Sequence, residues 1–306
     1  MIKYAVILLD DTSTAYCHAG NPLVESKLMP KKILKEAIFW CMKENLNIQF
    51  VYPDYELPNE YLSIIDSVDH ADIKHLVEAD VTVFDGWEEL NINNLKSPSI
   101  VLRLTKKELL GKHERYQEIL NYDGHVSIVI TDVEEFTAND FDEYQKLLGK
   151  LAISAASQAL RGRLPQINIL TDRMYLSAMN NCDAGNESIA IAPNGKFYAC
   201  PAFYYDDENN NIGSLCDGLE IKNGQLYKLN YAPICRNCDA YQCRRCIWLN
   251  KKMTLEVNTP SHEQCVLSHI ERNSARDLLN SIRGSVDYLP DIIIEEIDYL
   301  DPLKKS

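Results

Sequence analysis

Apolar positions fall into short runs separated by stretches with helical spacing. Residues 4–9, Tyr4-Ala5-Val6-Ile7-Leu8-Leu9, form an unbroken apolar run of the kind that fills a strand buried on both faces. Residues 31–44 then place Leu34, Ile38 and Cys41 on one helical face, which puts Cys41 in a core. Residues 48–52 predict the next strand, ended by Pro53. Further strands are expected at 81–84, 100–104, 126–130 and 167–170, with helical candidates before, between and after them. The longest helix is expected from near Thr137, whose hydroxyl can cap it, to about Arg161. A closing helix is expected over 267–282, where LSHIERNSARDLLNSI spaces its apolar residues at helical intervals.

Strand and helix alternation over residues 1 to about 175 predicts a mostly parallel sheet with right-handed crossovers. An open sheet and a sheet bent into a partial barrel give the same alternation, so the pattern leaves both open.

Beyond residue 175 the chain is organised by cysteine. Of the ten cysteines in the 306 residues, Cys182, Cys200, Cys216, Cys235, Cys238, Cys243, Cys246 and Cys265 lie in this part. Thiolates are soft ligands for zinc or iron-sulfur clusters, and two Cys-x2-Cys pairs close together direct several sulfurs at a metal. Disulfides are the competing reading. The N-terminus, MIKYAVILLDD, lacks a basic region followed by a long apolar run and a cleavage site, so a reducing cytoplasmic location is expected and metal binding is favoured. Only four residues separate the pairs Cys235-x2-Cys238 and Cys243-x2-Cys246, tighter than zinc ribbons with a long intervening hairpin. A single zinc site would also leave Cys182, Cys200 and Cys265 unused; two centres sharing the run account for more of the sequence. Asn194-Gly195, between ESIAIAP and KFYAC, predicts the two-residue turn of a hairpin that returns Cys200 beside Cys182.

Cys182-x12-Gly195-x4-Cys200, the Gly213-Ser214-Leu215 segment, the four-cysteine run and the final cysteine together resemble the SPASM domain of radical SAM peptide-modifying enzymes. The resemblance implies that Cys182, Cys200 and Cys246 hold one auxiliary [4Fe-4S] cluster, and that Cys235, Cys238, Cys243 and Cys265 hold a second. The first set is one ligand short. An open iron position or Cys216 is expected to make up the difference, and zinc remains the alternative metal. The family's fold is a partial (β/α)6 barrel with the cysteine-rich domain at its C-terminus. It implies a division into residues 1–175 (barrel), 176–268 (SPASM-like domain) and 269–306 (helical tail).

Radical SAM enzymes carry Cys-x3-Cys-x2-Cys after the first strand, but this chain has Asp10-x3-Thr14-x2-Cys17. A carboxylate, a hydroxyl and one thiolate are a poor set for a low-potential cluster, so no SAM-cleaving cluster is expected. Asp10, Asp11 and Thr14 are expected in a solvated, capped loop; Cys17-His18 could still be a single metal or redox pair. In size and in lacking the triad the chain is similar to the CXXX repeat peptide maturases of bacterial ribosomal-peptide pathways. That resemblance implies an accessory role beside a radical SAM partner enzyme, with a precursor peptide as the other partner and no catalytic residue assigned. The competing class is a noncatalytic scaffold in which zinc stabilises the cysteine-rich segment.

Composition narrows the partners. The net charge of −14 argues against unspecific nucleic-acid binding and against docking on anionic lipid. No apolar run is long enough to span a bilayer. Arg236, Arg244 and Arg245 are candidates to neutralise an anionic cluster or a peptide carboxylate. The acidic tail with Asp291, Glu295, Glu296 and Asp298 reads as a solvated face or as a surface for the barrel or a partner.

Overall fold

A computed structural model describes residues 2–289 and 291–296. The barrel part runs β1 (Tyr4–Leu8), α1 (Lys31–Lys43), β2 (Asn47–Val51), α2 (Asn59–Ile65), β3 (His70–His75), β4 (Val81–Asp85), β5 (Ser99–Leu104), α3 (Lys106–Gly111), α4 (Tyr116–Leu120), β6 (His125–Ile130), α5 (Ala138–Ala159) and β7 (Gln166–Ile167). The cysteine-rich part adds β8 (Ser188–Ile191), β9 (Phe197–Tyr198), α6 (Pro201–Asp206), the small pair β10 (Gly213–Ser214) and β11 (Gly218–Leu219), then α7 (Ile247–Thr254) and α8 (His262–Ile282).

Strand order decides between the two architectures left open by the alternation. The main sheet runs β7-β6-β5-β4-β3-β2-β1-β8-β9, so β1 to β7 lie side by side in chain order, and all of these pairs are parallel. A doubly wound sheet reverses its order at a switch point, whereas an order that never reverses carries its crossovers on one side, as in a barrel. The fold is a partial barrel. Alternate residues sort accordingly: Ile100, Leu102 and Leu104 face an outer core with Tyr144, Leu148 and Leu151 of α5, and Val101 faces inward with Val6, Leu8, Val51, Val83 and Val129.

Three expectations are corrected. Strand β3 has only Ile73 buried among HADIKH, so it carried no apolar run to read. The links from β3 to β4 and from β4 to β5 contain no helix, so alternation is incomplete there. The expected strand at 167–170 is reduced to β7, because Leu170 and Thr171 turn back with their N–H groups on the carbonyl of Ile167. Cys41 is fully buried in the outer core beside α1, as its position on the helix face required. Helix α5 does start after Thr137, but the Thr137 hydroxyl donates at 2.7 Å to the Asp140 carboxylate, which also accepts the Thr137 N–H at 2.8 Å.

The cysteine-rich part is built into the barrel rather than appended to it. β8 pairs in parallel with β1 and extends the sheet. The hairpin turn has three residues, not two. Gly195 N–H bonds the Ala192 carbonyl at 2.9 Å, with Pro193 and Asn194 at the turn centre, and Gly195 takes φ +75°, which a residue with a side chain adopts only at a cost. Helix α8 begins five residues earlier than expected, at His262, where Ser261 accepts from Gln264 N–H at 3.2 Å. It packs Leu267, Ala275, Leu278 and Leu279 into the core of α5, and it runs unbroken through the expected boundary at 268. In the tail, Ile294 is buried and Arg272 donates to the Glu295 carbonyl at 2.5 Å; Asp298 lies outside the described residues.

Candidate metal centres

The loop after β1 is bent by its own side chains. Asp10 is fully buried, and its carboxylate accepts from Thr12 N–H (2.8 Å), Thr12 hydroxyl (2.6 Å), Ser26 hydroxyl (3.0 Å) and Tyr55 hydroxyl (2.8 Å). Burial works to raise the Asp10 pKa, but the hydrogen bonds from Thr12, Tyr55 and Ser26 outweigh it and hold the carboxyl below its ordinary value. Thr14 is also buried; its hydroxyl donates at 3.0 Å to the Tyr52 carbonyl on the end of β2. The loop is therefore not the solvated segment expected: Asp10 and Thr14 are spent on holding it together.

Past Thr14 the loop enters the barrel. Arg103, the inward residue of β5, donates from Nε to the Cys17 carbonyl at 3.0 Å and from Nη2 to the Ala19 carbonyl at 3.4 Å. His18 Nδ1 lies 2.7 Å from the Ile130 carbonyl at the end of β6, and burial lowers its pKa to about 4, so the ring is neutral and donates from Nδ1. From the other side, α6 docks on the same loop: the Tyr204 hydroxyl donates to the Asp11 carboxylate and the Tyr205 hydroxyl to the Ser13 carbonyl at 3.4 Å.

These contacts bring four thiols to one place. A cavity of about 620 Å³ is lined by Cys17, Cys182, Cys200 and Cys246, with Arg244 and Trp248 on the same wall. Cys182 comes from the turn before β8, Cys200 from the residue ahead of α6 and Cys246 from the residue ahead of α7. Crowding by the cavity walls, then the charge of the neighbouring thiols, pushes the Cys200 and Cys246 thiols far up. Cys182, Cys200 and Cys246 thus line one cavity, as the SPASM resemblance implied for all three and the hairpin for Cys182 and Cys200. Cys216 is not with them: it is exposed in the turn between β10 and β11, whose Leu215 and Leu219 pack on the outer core beside α1.

The second set forms where the four-cysteine run folds back. Cys238 N–H bonds the Cys235 carbonyl at 3.1 Å and Cys243 N–H bonds the Ala240 carbonyl at 2.9 Å, two tight turns that curl the run. Cys265 reaches it from the first turn of α8. Burial raises the thiols of Cys235 and Cys265 to about 12, with a further rise from their neighbours Cys243 and Cys238. His269 Nε2 is 3.5 Å from Cys238 Sγ, and burial lowers its pKa to about 4.

Three observations bear on whether these residues fit a metal centre. Thiols accept N–H bonds from the residue two positions on: Ala240 to Cys238 and Arg245 to Cys243, each at 3.4 Å. Burial raises the thiols of Cys17, Cys182 and Cys200, and the backbone N–H groups of Ala19, Ala184 and Ala202 partly offset that rise. Such donors stabilise thiolate and orient it toward a metal. Second, Arg245 is 2% exposed; its Nη2 pairs with the Tyr227 carbonyl and lies 3.5 Å from Asp183, its Nε and Nη1 have no hydrogen-bond partner, and its charge partly offsets the rise that burial imposes on the thiols of Cys182, Cys235 and Cys243. A buried cation with open donors near thiols of both sets calls for further anionic groups there. Third, among the described residues the one trio of possible ligand atoms lying within 4.8 Å of one another is His75, Asp85 and Glu89, so no three thiols are that close. A tetrahedral zinc with Zn–S of about 2.3 Å would hold its sulfurs about 3.8 Å apart. Of the three arginines in the run, Arg236 is exposed and on neither cavity wall.

A partial barrel whose sheet is extended by a cysteine-bearing hairpin has a radical SAM/SPASM-like fold. Among the solved structures it is similar to are several of anSMEcpe, an anaerobic sulfatase-maturating enzyme. One, with bound AdoMet, matches at a TM-score of 0.63 and 11% identity over 93% of this chain and 96% of that one. Another, with bound AdoMet and a Cp18Cys peptide, matches at 0.62 and 10% identity over 91% and 98%. No protein-family model and no curated protein matches the sequence.

Sequence reasoning missed Cys17 as a neighbour of Cys182, and named Arg245 only as one of three arginines in the run without marking it as the buried one. Their spacings, 165 and 63 residues from Cys182, have no local signature. The signal that was present is the alanine two residues after Cys17, Cys182, Cys200 and Cys238.

Proposed function

We propose that this chain is an auxiliary iron-sulfur protein of peptide maturation, holding two [4Fe-4S] clusters and acting beside a radical SAM partner without cleaving SAM itself. The observation that carries the reading is the pair of separate thiol sets, Cys182, Cys200 and Cys246 on one cavity and Cys235, Cys238, Cys243 and Cys265 around the folded-back run, with the buried Arg245 close enough to act on thiols of both. In the first centre the ligands are Cys182, Cys200 and Cys246; in the second they are Cys235, Cys238, Cys243 and Cys265. Such clusters supply one-electron transfer. Arg245 offsets their negative charge, and the N–H donors of Ala184, Ala202 and Ala240 hold the thiolates in place.

The absence of SAM cleavage is supported by what the loop after β1 does with its side chains. Asp10 and Thr14, where the family has cysteines, are committed to hydrogen bonds within the loop and to β2, leaving one thiol of the triad. A peptide as partner is supported by the bound peptides in the anSMEcpe structures, and a cysteine-repeat peptide by the sequence resemblance. Among the described residues no helix is long and apolar enough to cross a membrane.

The test is purification under anaerobic conditions, then incubation with SAM and reductant, and pull-down of a cysteine-repeat precursor peptide. Iron with matching sulfide, peptide capture and no 5′-deoxyadenosine are expected. Release of 5′-deoxyadenosine by the pure protein would contradict the accessory role.

A further inference from the structure

The first centre has three cysteines from the C-terminal part, and the structure puts a fourth beside them from 165 residues earlier. We infer that Cys17, the last thiol of the loop after β1, is the fourth protein ligand of the first centre, which closes it as a four-thiolate site and leaves no iron position for a substrate thiol. This rests on the iron-sulfur reading above.

Cys17 is on the wall of the same cavity as Cys182, Cys200 and Cys246. Its backbone is held from inside the barrel by Arg103, at its own carbonyl and that of Ala19, and by His18 on the Ile130 carbonyl. These bonds fix the backbone on both sides of the thiol that lines the cavity. The other candidates for the fourth ligand are accounted for elsewhere. Cys216 is exposed in the β10–β11 turn outside the cavity, and Asp10 and Thr14 are saturated by partners within the loop. A loop that in the radical SAM pattern would carry three ligands for its own cluster is here left with one, and that one is turned to another centre. The consequence for function is that the first centre carries electrons or holds the two parts of the chain together, and does not bind a cysteine of the peptide.

The experiment compares the anaerobically purified full chain with its Cys17→Ala, Cys17→Ser and Cys216→Ala variants by iron and sulfide content and by EPR, before and after ferricyanide and with added 2-mercaptoethanol. One-electron oxidation of a cluster with a weakly held iron releases Fe²⁺ and leaves a paramagnetic three-iron core. The parent and Cys216→Ala should hold about eight irons per chain, show no three-iron signal and ignore the added thiol. Cys17→Ala should lose about one to four irons per chain, give the three-iron signal on oxidation, and change its spectrum when thiol is added. Cys17→Ser, nearly unchanged in volume, covers the case in which alanine unfolds the loop: it should fold as the parent does and still show the weakened iron. Parent-like iron and spectra in both Cys17 variants, or changes only in Cys216→Ala, would overturn the assignment. If the parent holds zinc and no iron, the iron-sulfur reading falls by itself. The ligand assignment then stands if Cys17→Ala and Cys17→Ser lose one zinc per chain, and falls if they do not.

Discussion

Arg103 Nε and the carbonyl oxygen of Cys17 are 3.0 Å apart, so a barrel strand holds the backbone of a residue whose thiol belongs to a centre built mostly from the far end of the chain. Arg103 is 8% exposed, and its Nη1 is paired with Asp85. Replacing it with methionine leaves the carbonyls of Cys17 and Ala19 without their donor in a buried place. Arg103→Met is expected to cost about 2–4 kcal/mol in denaturant unfolding and to lower iron at the first centre while leaving the second intact. Equal iron loss at both centres would show that the effect is global unfolding.

Asp10 anchors the loop after β1. Its four accepted hydrogen bonds keep the folded-state pKa below the unfolded one, so its contribution is present above the unfolded value and is lost as pH falls through the folded one. Asp10→Ala should therefore destabilise the protein by about 1–3 kcal/mol at pH 7. The difference from the parent should shrink below about pH 4, read by urea melts at several pH values.

Glu271 works in the opposite sense. Burial raises its pKa to about 7, against hydrogen bonds from the Tyr144 hydroxyl (2.9 Å) and from Gln242 (3.3 Å) that favour the charged form. A carboxyl raised in the fold is neutral in both states at low pH and must ionise against its surroundings as pH rises, so stability should fall between about pH 4.5 and 7. Glu271→Gln should flatten that slope and melt higher than the parent at pH 8, by an amount on the order of 1–3 kcal/mol. A parent melting point constant over the interval would contradict the raised value.

Arg245 adopts φ +42°, a left-handed backbone that costs a non-glycine residue energy and that aims its N–H at Cys243 Sγ. Its buried charge, close to thiols of both sets, should ease reduction of each centre, since reduction adds negative charge. Arg245→Met is expected to shift both midpoint potentials to more negative values by tens of millivolts, where about 59 mV is a tenfold change in a one-electron equilibrium. Redox titration followed by EPR measures this; a shift at one centre alone would place the guanidinium with that centre.

What was legible in the sequence follows from how local each signal is. The runs at 4–9, 100–104 and 126–130 are strands because both of their faces are buried, and α1 and α8 declare themselves by one apolar stripe. HADIKH gave nothing, since a strand with only Ile73 buried has neither an apolar run nor clear alternation. The hairpin turn placed Cys200 near Cys182 because it is a local event, and the SPASM resemblance added Cys246; the three line one cavity. Neither signal reached Cys17: Cys216 or an open iron position was the expectation for the missing ligand. The choice between Cys216 and Cys17 depends on which face of the sheet each loop lies over, and only the packing of Leu215 and Leu219 outside and of Tyr16 to Ala19 inside decides it.

The most direct measurement is iron, acid-labile sulfide and zinc per chain after anaerobic purification, with Cys182→Ala and Cys235→Ala alongside. The account predicts about eight iron and eight sulfide per chain, each substitution removing about half. One or two zinc ions per chain without sulfide would contradict it, and would make the cysteine-rich part a structural metal site of a binding protein.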